Sequence, residues 1–263
     1  MKRQVIEAIR RAHLPFAPAE LPNSLAVYFH DLTPQILGPF RDAIEQLLAI
    51  GYRTVSPKEY VDCTSQNRRL FISFDDNYRS WYEALETLGA LGVTCTFYVN
   101  TCSLRDVAKF STIDAYFDRI DYSGDRTPLS RAELRELHRA GHNIGCHSHS
   151  HFTLSSVPCG QWSREIDDCK ASLEDIIGAE VSDFSFPFGM RRHFSSKLRK
   201  YCRSRGFQTI ATGISGQLNS HEIDPLAIHR TEWKFNRPHS VNFDNLRLRA
   251  GPFASLFGRS VIG

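Results

Sequence analysis

The chain has 263 residues, 41% of them hydrophobic and 23% charged, which is globular composition with enough length for one large core. A formal charge of only +3, without a basic run interleaved with aromatics, gives no case for nucleic-acid binding. No apolar stretch approaches the roughly 20 residues that span a bilayer, and the opening MKRQVIEAIRRAHLPFAPAELP lacks the apolar core of a secretion signal, so a soluble, cytoplasmic protein is expected.

In chain order, β-like runs are predicted at LAVYFHD (25–31), YRTVS (52–56), LFISFDD (70–76), TCTFYVN (94–100), NIGCHS (143–148), DFSFPFG (183–189), QTIATG (208–213) and AIHRTEW (227–233). Helix-like spacing of apolar residues falls between them at 39–50, 79–91, 131–140, 161–177 and 195–204. The 131–140 helix carries its own punctuation, with Ser130 and Glu133 as a capping box and Gly141 after the last turn. Strands alternating with helices imply parallel pairing and right-handed crossovers, which predicts one α/β domain, a distorted (β/α) barrel, over residues 24–235. A helical extension (1–23), a long loop insertion (101–129) and a C-terminal extension (236–263) complete the expected organisation.

In such a barrel the chemistry gathers at the C-terminal ends of the strands. His30 and Asp31 end the first run, Asp75 and Asp76 the third, His147 the fifth, and Phe188 and Gly189 the sixth. Adjacent carboxylates at a strand end repel each other, and a metal resolves that repulsion. His147 and His151 stand four apart, so a helical or turn-like segment puts both imidazoles on one side. With one carboxylate they make a three-ligand open site. Each feature alone has a bland reading, a loop cap or a surface histidine cluster; both following strands of one parallel sheet favour the metal site. The seven cysteines are odd in number and lack CxxC spacing, so they are expected as reduced, buried thiols. Cys146 is expected to point away from the His147 side and not to serve as a ligand.

These segments resemble the motifs of the polysaccharide deacetylases with a NodB-homology domain, carbohydrate esterase family 4. FISFDDN is similar to the family's TFDDG, NIGCHSHSHFTL to its H-[ST]-x-x-H segment, and DFSFPFG to its R-x-P-[YF]-G loop. The resemblance implies that Asp75 is the general base, that Asp76, His147 and His151 hold one divalent metal, with Zn²⁺ the expected ion, and that Ser148 and Ser150 support the histidine loop. It implies that Phe188 supplies a backbone N–H to the oxyanion. The family's carboxyl-end His-Asp motif is absent after residue 189, and LAVYFHD stands before the first carboxylate motif instead. First and last strands of a closed barrel are neighbours, so this resembles the circularly permuted branch that includes poly-N-acetylglucosamine deacetylases. His30 is therefore the candidate general acid, with His229 or a water as the substitute if it is structural.

The motif arginine is replaced by Ser185, and Asn77 stands where glycine is usual. Arg230 either supplies the missing charge or lies on the surface. Arg191, with Arg192 and His193, is a candidate for binding an anionic group of the substrate, or a solvated loop. Tyr78, Trp81 and Trp233 either stack on a sugar ring or fill the core, and His149 is expected to face away from the site. The expected function is hydrolysis of an N-acetyl, or N-formyl, group from an amino sugar, with an intracellular, nucleotide- or lipid-linked precursor of a surface polysaccharide as substrate. Two readings compete: a non-haem Fe(II) oxygenase-like redox site, which leaves Asp75 unexplained, and an inactive sugar-binding module, suggested by the missing arginine. Oligomeric state is not legible.

Overall fold

The computed structural model describes residues 20–62, 67–215 and 223–247. The expected N-terminal extension, up to residue 19, and the C-terminal one, from 248, lie outside the described residues, as does Cys63.

One parallel sheet carries the architecture. Its strands are β1 (Ser24–Phe29), β2 (Arg53–Thr54), β3 (Arg69–Asp76), β4 (Thr96–Val99), β5 (Asn143–Cys146), β6 (Asp183–Ser185), β7 (Thr209–Thr212), β8 (Ile228–His229) and β9 (Thr231–Glu232). They are ordered β8-β7-β6-β5-β4-β3-β1-β9, with β2 beside the start of β3. The two ends of that order, β8 and β9, are consecutive in the chain with only Arg230 between them, so the sheet bends into a nearly closed barrel. The first strand lies between the third and the last, as the permuted arrangement requires, with Val27 opposite Ile72 on one side and Thr231 on the other.

Period-two alternation sets what each face packs against. On β1, Leu25, Val27 and Phe29 join the large outer core, whereas Ala26 joins an inner cluster with Phe71, Tyr98, Ala211, Ile228 and Tyr60. The outer layer begins with α1 (Pro34–Ala49), whereas α2 (Pro57–Val61) puts Tyr60 into the inner cluster; the outer layer continues with α3 (Ser80–Glu83), α4 (Leu85–Ala90), α5 (Phe110–Arg119), α6 (Arg131–Arg139), α7 (Asp168–Ile177), α8 (Ser196–Ser204) and α9 (His239–Arg247). The capping box at Ser130 and Glu133 is formed, and Gly141 takes φ 89° after the last turn of α6.

Four expectations need correction. The 79–91 helix is two short helices, α3 and α4, and the 161–177 helix begins with a π-helical turn at Ser163–Asp167. The 101–129 segment is not a plain loop: it contains a 3₁₀ turn (Thr101–Ser103) and α5, whose Ile113, Tyr116 and Phe117 are buried. Their i, i+3, i+4 spacing was present in the sequence, masked by the charged residues between them. The 183–189 run stops as a strand at Ser185, because Pro187 brings no N–H to a ladder and Phe188 and Gly189 turn with φ 63° and 61°.

Candidate active site

β3 delivers both carboxylates to the C-terminal mouth of the barrel, where they line a cavity of about 330 Å³. Neighbours on a regular strand point to opposite faces. Asp76 escapes that rule by adopting φ 88°, uncommon for a residue with a Cβ, which brings its carboxylate to the same cavity as that of Asp75. The histidine segment is likewise a tight turn, with Ser148 at φ 69° and His151 at φ 57°. The Ser148 hydroxyl accepts the His151 N–H at 3.1 Å, and the Asn100 amide donates to the Ser148 carbonyl at 3.0 Å. Tyr116 in turn donates to Asn100 Oδ1 at 3.0 Å, so the insertion braces the histidine turn.

Asp76 Oδ1 lies 3.5 Å from His147 Nε2 and 3.2 Å from His151 Nε2, and one ligand atom from each residue falls within 4.8 Å of the others. His147 Nδ1 is 2.7 Å from the Ser185 carbonyl, which fixes the ring so that Nε2 faces Asp76. Tyr78 donates to Asp76 Oδ2 at 3.0 Å, leaving Oδ1 for the histidine side. Burial lowers the His151 pKa despite the neighbouring Asp76, which favours the neutral imidazole that a cation requires. Burial opposes charge on Asp76 as well, but its hydrogen bonds with His147 and His151 outweigh this and hold it well below the ordinary carboxylate range. Donor set, tautomer control and burial all fit one divalent cation.

Asp75 has a different partner. Arg230 Nη1 reaches its Oδ1 and Nη2 its Oδ2, both at 2.7 Å. The guanidinium makes five hydrogen bonds in all, the others to Ser73, Ser185 and the Thr212 carbonyl, while the rings of Tyr28 and Tyr98 lie 4.7 and 5.2 Å from it. Burial would raise the Asp75 pKa, yet Arg230, followed by His147, lowers it below the ordinary value. Arg230 is thus a buried partner of Asp75, which resolves the choice that the sequence left open. It sits at the break between β8 and β9, where its side chain turns inward and its Nε holds the Thr212 carbonyl at 3.0 Å.

The structure brings Asp75, Asp76, His147, His151, Phe188 and His30 to this one cavity. Phe188 stands half out of the protein with its ring 4.8 Å from that of His151. Asp31 does not orient His30, since its oxygens take the hydroxyls of Ser80 and Tyr122. His149 faces away, 2.9 Å from the Thr101 hydroxyl, as expected. Cys146 is buried and outside the ligand cluster, whereas Cys159 is exposed, contrary to the expectation for the thiols.

Two site candidates are corrected. Arg191 lies exposed on a 3₁₀ turn and does not line the cavity. Trp233 is only 4% exposed and packs on Phe29 and Phe243, so it belongs to the core. His229, the substitute acid, is held by Thr212 at 2.8 Å away from the cavity lining, and burial lowers its pKa to about 4. Sequence reading missed Tyr28, Asn100 and Tyr122. Of these, Tyr28 was reachable by alternation, two residues before His30 on the same strand.

Comparison with known proteins agrees with this geometry. Residues 63–210 match the family model described as polysaccharide deacetylase, and the chain belongs to that family. The matched span holds Asp75, Asp76, His147, His151 and Phe188 but neither His30, which follows the displaced first strand, nor Arg230, which lies beyond the span between β8 and β9. YxkH of Bacillus subtilis (strain 168), provisionally named a polysaccharide deacetylase, is 23% identical over 68% of this chain; the match covers 58% of YxkH, under two thirds of its length. In fold, the chain resembles the Streptococcus pyogenes deacetylase PplD, with TM-score 0.67 at 14% identity over 85% of this chain and 97% of that one. IcaB of Ammonifex degensii gives 0.66 at 15% identity, over 86% of this chain and 97% of that one. The BpsB deacetylase domain of Bordetella bronchiseptica gives 0.61 at 15% identity, over 82% of this chain and 98% of the domain.

Proposed function

We propose that this chain is a metal-dependent N-deacylase that hydrolyses the N-acetyl, or N-formyl, group of an amino sugar. The observation that carries the reading is a single cavity holding a three-residue cation site beside a separate carboxylate, Asp75, tied to a buried arginine. The redox alternative gives Asp75 and Arg230 no work. The inactive-module alternative rested on a missing arginine, and Arg230 supplies a charge beside Asp75 from the break between β8 and β9.

Asp76, His147 and His151 would hold the cation, for which Zn²⁺ is our choice from the two-imidazole, one-carboxylate donor set. When bound, it would polarise the amide carbonyl and lower the pKa of water. Asp75, kept ionised by Arg230, accepts a proton from the attacking water. The Phe188 N–H, presented by its left-handed turn, donates to the acyl oxygen as negative charge develops there. His30, at the end of β1 in the same cavity, protonates the departing sugar amine. Residues 24–235 form the catalytic unit in this reading, and a cytoplasmic, carrier-linked sugar precursor is the substrate we favour.

The test is release of acetate and formate by Zn²⁺-loaded protein across a panel of free, nucleotide-linked, lipid-linked and polymeric N-acyl sugars. Asp75→Asn should retain metal and lose about 10²–10⁴-fold in kcat, the usual span of general acid–base catalysis, and His30→Gln roughly 10²-fold. A fully metal-loaded wild type that releases neither acid from any panel member overturns the proposal.

A further inference from the structure

The cavity contains a phenol that the mechanism above does not use. Tyr28 lines it, and its hydroxyl has no hydrogen-bond partner among the described residues. Alternation on β1 turns Ala26, Tyr28 and His30 inward, and a strand rise of about 3.3 Å per residue sets Tyr28 roughly 7 Å deeper than His30. The ring is held on both flanks, with the Arg230 guanidinium 4.7 Å from its centre and the His30 ring edge-on at 5.5 Å. Arg230 is itself fixed by five hydrogen bonds, so the phenol is a preorganised group.

Its hydroxyl end abuts Gly213, the residue after β7, and Gly213 in turn packs on the turn that follows β6. A Cβ on Gly213 would lie 3.2 Å from the Tyr28 hydroxyl, and a Cβ on Gly189 would lie 2.4 Å from Gly213 N. The Gly213 N–H meanwhile donates to the Gly189 carbonyl at 2.9 Å. Glycine at both positions lets the two backbones close up, which brings the phenol beside the 188–189 turn. The Asp75 oxygens are already engaged by Arg230 and Ser185, so they do not draw the hydroxyl away. Burial, with Glu232 adding to it, holds the phenol far above its ordinary pKa, so it remains a donor across the working range of pH.

We propose that the Tyr28 hydroxyl is a second protein donor to the acyl oxygen of the substrate, acting beside the Phe188 N–H; this rests on the N-deacylase reading. As water adds to the acyl carbon, the carbonyl π pair moves onto oxygen and the O–H···O⁻ bond strengthens. When the C–N bond breaks, that pair returns, the amine takes its proton from His30, and Tyr28 keeps its own proton throughout. The role needs a hydroxyl at residue 28.

The test is Tyr28→Phe, which removes the hydroxyl and keeps the ring on Arg230. In Zn²⁺-loaded protein the expected result is an unchanged metal content and Tm, with kcat and kcat/KM falling together by about 100-fold, the low end for loss of one oxyanion donor. Affinity for a methylphosphonamidate of glucosamine, a tetrahedral anionic mimic, should fall at least about 10-fold in parallel, since such mimics report transition-state contacts. A kcat within about twofold of wild type overturns the proposal. So does a raised KM at unchanged kcat, which would place the hydroxyl on a ground-state oxygen such as a sugar hydroxyl. A wild type that is silent on the whole panel defeats the deacylase reading itself, whereas an active wild type matched by Tyr28→Phe defeats only the Tyr28 role.

Discussion

The inside of the barrel is two different materials stacked along the same strands. Towards the N-terminal ends, inward positions carry Ala26 and Phe71, which form one apolar cluster with Tyr98, Ala211, Ile228 and Tyr60 from α2. One or two inward steps further on, β1 reaches Tyr28 and His30, β3 reaches Ser73 and Asp75, and the chain after β8 reaches Arg230. The lower half is close-packed and apolar, where stability follows from removing surface from water. The upper half buries ions, which costs stability unless every lone pair and proton is matched. Its residues take conformations that the lower half avoids, with Asp76, Ser148, His151 and Phe188 all at positive φ. The difference teaches that the apolar half acts as a rigid floor on which a strained, charged half can be held.

The largest effect should come from the upper half's ligand cluster. His151→Ala removes one of three candidate ligands, and a three-ligand site tolerates this poorly. We expect loss of stoichiometric zinc binding, read by metal analysis of dialysed protein, with deacylation falling below detection and the far-UV CD spectrum unchanged. A folded His151→Ala protein that retains a full equivalent of zinc would show that these side chains are not the metal site.

Much of this division was legible before any coordinates. The apolar runs, their alternation and the polar residue at each strand end were enough for the barrel and for Asp75, Asp76, His147, His151 and His30 as one cluster. The 130–141 helix was legible because its caps are local chemistry. Partners distant in sequence were not: Arg230 reaches Asp75 across 155 positions, and nothing local marks that arginine as buried. Trp233 was left open between sugar and core for the converse reason, since an aromatic close to the site in sequence, just past β9, met Phe29 and Phe243 instead. The positive φ at Asp76 was also illegible, because a residue with a Cβ gives no sign that the fold will force it there.

The next effect is on the joint between the two halves. Arg230→Met keeps volume and removes the charge that balances Asp75, leaving a buried carboxylate without its partner. Breaking such a pair typically costs about 3–5 kcal/mol. The pH dependence supplies a sign to check, in metal-free protein. With Arg230, the folded pKa of Asp75 lies below the unfolded value of about 3.9, so its contribution to stability is present above that value and is lost as pH falls through the folded one. In the variant, burial is no longer outweighed and the folded pKa rises above the unfolded one. Its contribution then declines as pH climbs from about 4. Urea titrations from pH 3.5 to 6 should show wild-type stability holding or rising where that of the variant falls. Parallel curves would mean that the ion pair does not control Asp75.

The smallest effect is expected in the floor. Phe71 is fully buried on β3, its ring 5.7 Å from that of Tyr60, two inward positions before Asp75. Phe71→Leu exchanges one apolar side chain for a slightly smaller one, a swap that cores usually absorb for less than about 1.5 kcal/mol. Its position on the same strand as the carboxylates makes it a sharp test of whether the halves are independent. If the floor only supports, chemical denaturation should show the modest loss while zinc content is unchanged and kcat stays within about twofold, because sites without shared partners add nearly independently. If the floor instead sets the geometry of β3 at the mouth, a gap at residue 71 will let the strand settle and pull Asp75 from its place. A misplacement of the order of 1 Å at a reacting group is enough for about a 10²-fold loss. Comparing ΔΔG with kcat for this one variant therefore separates a floor that merely fills from a floor that aims.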